Sequence, residues 1–174
     1  MKTAARTLAW LMVALALLTP AQAASLHAGI ATYEHENYNA AAAILRPLAL
    51  KGDPPAQSYV AYMYATGRGF PQNYNVAAYW YFRAATQGET TAQYQLGLLY
   101  DKGDGVQQDY IKAHMWFDLA AAHAPPKSRD FCVRLRDAIA TKMTRGQIGV
   151  ARQLALQWVP VRERPGVVVA PAPQ

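Results

Sequence analysis

Displaced by 36 positions, the chain overlays on itself: Ala56 falls on Ala92, Tyr64 on Tyr100, Gly67 on Gly103, Gly69 on Gly105 and Trp80 on Trp116. Gln72 meets Gln108, Tyr74 meets Tyr110, Ala77 meets Ala113, and Ala84-Ala85 meets Ala120-Ala121. One step back, the match thins to Tyr38, Ala41, Ala49 and Gly52 against Tyr74, Ala77, Ala85 and Gly88. A register held over three units predicts a solenoid, because each unit buries its apolar face only against its neighbours.

The units read as helix pairs. Asn37, Asp53, Asn73 and Asp109 are placed as N-caps, and Glu89 stands where Asp53 does, as a weaker cap. Gly67 and Gly103 end a first helix, and Phe70 or Val106 puts one apolar side chain into the loop that follows. Ala77, Trp80 and Ala84, with Ala113, Trp116 and Ala120, recur at i, i+3, i+7 and predict one buried face per second helix. After Pro125-Pro126 the register is lost. Phe131, Leu135 and Ile139 predict one more amphipathic helix, and Thr144 with Gln147 a capping box that opens the last.

The expected fold is all-α, a right-handed α-α superhelix of helix-turn-helix repeats closed by a C-terminal capping pair. Its expected parts are a leader over residues 1–23, a partial repeat 24–52, full repeats 53–88 and 89–124, capping helices 125–160 and a disordered Pro-rich tail 161–174. The first helix is expected from Ser25 to His35 and the next from Ala40 to Leu50.

The leader follows from Lys2 and Arg6, the apolar run Leu8 to Leu18, Pro20 and the small residues Ala21-Gln22-Ala23. Cleavage is expected after Ala23, giving a periplasmic or secreted protein. The run is shorter than the ~20 residues of a spanning helix, so no stable membrane span is expected after cleavage. A single cysteine, Cys132, leaves an exported chain to hold together by packing. The net charge of +6 is uneven. From Ala24 to Pro126 six basic residues face eight acidic ones, whereas Lys127 to Gln174 carries nine against three. A basic end suits acidic partners, anionic lipid or the cell-wall polymer. Nucleic acid is not expected without a binding motif.

The residues from Ala92-Gln93-Tyr94-Gln95-Leu96-Gly97 through Tyr100, Gly103, Gly105-Val106, Asp109, Ala113, Trp116 and Ala120-Ala121 resemble the motif of the Sel1-like repeat family, a relative of the tetratricopeptide repeats. Unit two departs from it at Val60-Ala61, where the family has Leu-Gly, and at Asn73, where it has Asp. The resemblance implies a helical scaffold. A cysteine-rich secreted subset of the family is associated with β-lactam binding through paired cysteines in each repeat, and that activity is not carried over to a chain with one cysteine.

No catalytic constellation is expected. His27, His35, His114 and His123 lack the i, i+4 spacing of a helical metal pair, and no Gly-x-Ser-x-Gly elbow or phosphate loop occurs. No cofactor and no metal are expected. The expected function is a non-catalytic scaffold or adaptor of the bacterial cell envelope that holds a protein or peptide in the concave groove of its inner helices. A helical wheel places Ser58, Tyr62, Tyr94, Leu98 and Asp101 in that groove, with Tyr64, Tyr74, Tyr100 and Tyr110 in the core. The alternative is a cell-wall enzyme or enzyme accessory that binds glycan or peptidoglycan through its basic end.

Overall fold

The computed structural model describes residues 20–163. Among these residues lie eight α-helices and no strand: α1 (Pro20–Glu34), α2 (Tyr38–Leu50), α3 (Pro54–Thr66), α4 (Tyr74–Thr86), α5 (Thr90–Lys102), α6 (Tyr110–His123), α7 (Pro126–Ala140) and α8 (Arg145–Gln157). Each helix packs on the next from α1 to α7, and α8 returns to pack on α6. This is the stacked helix-pair solenoid that the repeat demands. Residues 1–19 of the expected leader lie outside the described residues, and α1 starts at Pro20 rather than at Ser25.

The caps fall where the side chains allow them. Asn37, Asp53, Asn73 and Asp109 each accept a backbone N–H three residues on, at 3.4, 2.9, 3.1 and 3.0 Å. Pro54 occupies the first turn of α3, where a missing N–H leaves no partner unmet. Glu89 takes the N–H groups of both Thr91 and Ala92, since its longer side chain can fold back over the turn. Thr144 and Gln147 close a reciprocal capping box at the start of α8.

Units two and three repeat several of one another's contacts. The buried amide of Gln57 donates to Ala49 O at 3.2 Å, and that of Gln93 to Ala85 O at 3.3 Å. Gln72 donates to Ala65 O, and Gln108 to Asp101 O, across the loop. Gly67 and Gly103 cap their helices in the left-handed region at φ 73° and 79°, where a Cβ is strained. Gly69 and Gly105 do something further. A Cβ on Gly69 would lie 2.6 Å from Tyr38 O, and one on Gly105 would lie 2.2 Å from Tyr74 O. Each loop is thus seated, backbone on backbone, on the first turn of the preceding unit's second helix.

The core runs unbroken from α2 to α7. Ala41, Ala77 and Ala113 are fully buried at equivalent positions, as are Ala56 and Ala92, and these small residues let the helices close up. Trp80 and Trp116 occupy equivalent buried seats one unit apart. Gly97 has no side chain because the Phe117 ring lies where a Cβ would stand, 2.6 Å away; in unit two the equivalent positions are Ala61 and Tyr81. Of the four tyrosines expected in the core, Tyr100 is buried and Tyr64 and Tyr110 are half-buried. Tyr74 is a correction: it lies at the first turn of α4 with its ring exposed and its hydroxyl accepting from Gln72.

At the C-terminal end α7 and α8 cover α6 with Cys132, Ile139 and Ala151 buried. The chain then turns back. Trp158 meets Trp116 edge-on at 6.5 Å, and Val161 N–H donates to Thr86 O at 2.8 Å. Glu163 reaches Arg83, its carboxylate accepting from Nε at 2.8 Å and from Nη2, while Gln57 Nε2 donates to it at 2.9 Å. The expectation of disorder from Val161 is therefore wrong for Val161 to Glu163. The Pro-rich composition hid a carboxylate whose partner lies 80 residues away. The rest of the expected tail, residues 164–174, lies outside the described residues.

Candidate partner-binding cleft

The first helices of successive units, α1, α3 and α5, stand side by side, and a cleft of about 430 Å³ opens between them. Its walls are Tyr33 and Glu34 from the end of α1, Pro55, Ser58, Tyr59 and Tyr62 from α3, and Thr91, Tyr94 and Gln95 from α5. Tyr81 of α4 forms the floor and Glu89 stands at the entrance to α5. The rings pack edge to face: Tyr33 lies 5.8 Å from Tyr59 and 6.2 Å from Tyr62. Tyr94 is braced at 5.6 Å by Phe131 of α7, whose ring is otherwise exposed.

The cleft is acidic. Glu34 and Glu89 are its two carboxylates, and no Lys, Arg or His lines it. Burial first, then the charge of Glu34, pushes the Tyr59 hydroxyl above its usual range. Burial likewise raises Tyr81 and Tyr94, with Glu89 adding to both. The site therefore offers O–H donors, π faces and two carboxylate acceptors. The Tyr81 hydroxyl is buried with no hydrogen-bond partner among the described residues, a costly state that a ligand atom would relieve.

Of the five residues that the wheel placed in a groove, the structure brings three to this cleft: Ser58, Tyr62 and Tyr94. Ser58 is nearly fully buried, because α3 packs more deeply than a free inner helix would. Leu98 and Asp101 do not line it. Leu98 is half-buried against the core. Asp101 is held by Lys142 at 2.7 Å, and that ammonium lies 5.4 Å from the Tyr110 ring. Tyr33 and Glu34 escaped the sequence reading because α1 has no match at the 36-residue step. Tyr81 escaped it because its position repeats as Phe117, which reads as core. Among the described residues no group of three His, Cys, Asp or Glu is placed to hold a metal ion, and no helix is long and apolar enough to cross a membrane.

A solenoid of stacked helix pairs with an aromatic cleft between its first helices is the class of protein that this geometry defines. Residues 54–89 and 90–124 each match the family model of the Sel1 repeat, so the chain carries two Sel1 repeats in tandem. Among solved structures it is similar to a protective antigen of uropathogenic Escherichia coli with an SLR fold, at 31% identity and a TM-score of 0.73 over 78% of this chain. It is also similar to a Sel1 repeat protein from Oxalobacter formigenes, at 33% identity and a TM-score of 0.56 over 62% of this chain. The chain spans 29% and 44% of the length of these two proteins. No curated protein matches it.

Proposed function

We propose that this chain is a non-catalytic scaffold of the bacterial cell envelope that holds a peptide or protein partner in the cleft between α1, α3 and α5. Sel1 repeat proteins generally mediate protein–protein interaction, which supports the class. The observation that carries the reading is the cleft itself, a recess of about 430 Å³ walled by tyrosines from successive first helices. Tyrosine supplies rigid contact area with a polar tip, and for that reason it is enriched where proteins meet. The envelope location rests on the leader pattern of residues 1–23.

A photo-crosslinking residue at position 62, compared with one at the exposed Arg152 on α8, tests the reading in cells. A discrete adduct specific to position 62 is expected; equal or no adducts at the two positions would refute cleft binding. The other class of function, a cell-wall enzyme or accessory, is tested by incubation with peptidoglycan fragments, where release of smaller products would overturn the scaffold.

A further inference from the structure

Three of the chain's own cations are seated alike. Lys142 lies between the Asp101 carboxylate, at 2.7 Å, and the Tyr110 ring, at 5.4 Å. Lys112 pairs with Asp109 at 3.6 Å and stands 5.2 Å from the Tyr100 ring. Arg83 pairs with Glu163 and lies over Trp80 at 4.7 Å. Each seat combines a carboxylate with at least one aromatic face, so that Coulomb attraction and the ring quadrupole act together.

The cleft holds both ingredients in larger measure, with two carboxylates and four wall tyrosines, and none of its lining residues is a cation. Among the described residues neither Glu34 nor Glu89 has a Lys or Arg within ion-pairing distance. Arg68 touches the Tyr33 hydroxyl at 3.4 Å, but its guanidinium lies over Tyr38, outside the lining. At the floor, Tyr81 is 1% exposed and its hydroxyl lacks a partner among the described residues. An unpartnered buried hydroxyl in a cleft whose two carboxylates have no cation beside them suits a polar, positively charged group.

We propose that the cleft binds a basic peptide segment, seating one Lys or Arg side chain among Tyr33, Tyr59, Tyr62 and Tyr94 with Glu34 and Glu89 as its counter-charges. The Tyr81 hydroxyl then pairs with the seated group or with the adjoining peptide carbonyl. A volume of 430 Å³, within the roughly 300–1,000 Å³ of ordinary ligand pockets, takes one such side chain with its flanking backbone. The inference rests on the scaffold reading above and narrows it to one partner chemistry.

The test uses four capped heptapeptides, Gly-Ala-Ala-X-Ala-Ala-Gly, with Arg, Lys, citrulline or Glu at X, titrated into the full chain while tyrosine ring NMR signals are followed. The Arg and Lys peptides should shift Tyr59, Tyr62 and Tyr94 and bind about tenfold more tightly than the citrulline peptide, with the difference shrinking at high salt. Glu34→Gln, at an exposed position that carries no cap, should weaken the Arg peptide roughly threefold and leave the citrulline peptide unchanged. Glu89→Gln is the poorer variant because Glu89 also caps α5. Equal binding of Arg and citrulline peptides, lost together in Tyr62→Ala, would overturn the charge assignment and leave partner holding intact. No shift from the Arg peptide would overturn it too, and the crosslink at position 62 would then judge the scaffold reading by itself.

Discussion

Removing the carboxylate of Glu163 tests how the C-terminal segment is held. Glu163 and Arg83 have side chains only 3% and 6% exposed, so Glu163→Ala leaves a guanidinium covered by Trp80 and Tyr79 with no anion beside it. Breaking a buried pair from one side costs about 3–5 kcal/mol. Here the loss has an upper limit, because the segment can lift and let water reach Arg83. That limit is the segment's own docking energy: the bond from Val161 N to Thr86 O, the one from Glu163 N to Gln87 Oε1, and the packing of Trp158 on Trp116. The lower end, about 3 kcal/mol, is the expected cost. At about 2–4 °C per kcal/mol for a chain of this size, the Tm should fall by roughly 6–12 °C. Urea and thermal melts of the wild type, Glu163→Ala, Arg83→Ala and the double variant give the coupling energy, expected near 2 kcal/mol or more. The companion change of both residues to Met should come within about 1 kcal/mol of the wild type, since an apolar pair removes the desolvation cost along with the attraction. A Glu163→Ala chain within ~0.5 kcal/mol of the wild type would show that the pair does not hold the segment.

Gly105→Ala, whose Cβ meets the Tyr74 carbonyl at 2.2 Å with φ at +69°, should cost roughly 3 kcal/mol, and Gly103→Ala only about 1 kcal/mol by denaturant midpoint. Equal losses would mean that the loop is not seated on α4. Tyr81→Phe installs what unit three already has at this position, Phe117, and removes the unpartnered hydroxyl; the free chain should gain about 1 kcal/mol. A loss instead would mean that the hydroxyl has a partner. His114 is buried and its pKa is lowered, first by desolvation, with Arg136 and Arg152 adding to the effect. The unfolded chain thus takes up this proton first, so stability should fall as the pH drops below about 6.5, by up to ~1.4 kcal/mol per unit until the folded group titrates. His114→Gln should flatten that slope in melts from pH 7.5 to 5.

The scaffold was legible in the sequence because its cause is local and periodic. The caps at Asn37, Asp53, Asn73, Asp109 and Thr144 and the left-handed glycines act within a few residues of themselves. A 36-residue step then repeats the same local solutions. The cleft was legible only where it drew on the repeated units, which gave Ser58, Tyr62 and Tyr94. Tyr33 and Glu34 come from a helix outside the register, and Asp101 was diverted by a lysine 41 residues later. Glu163 stayed hidden for the same reason, since nothing near it in the chain announces Arg83 or Gln57 as partners.

The seating of Gly69 on Tyr38 and of Gly105 on Tyr74 joins main chain to main chain. Spacing and tilt at these joints are therefore independent of whatever side chains the outer surfaces carry. A duplicated 36-residue cassette spliced in at Gly88 would stack at an unchanged pitch and lengthen the row of first helices by one. In such an architecture the frame is inherited whole, and recognition is free to be rewritten one tyrosine at a time.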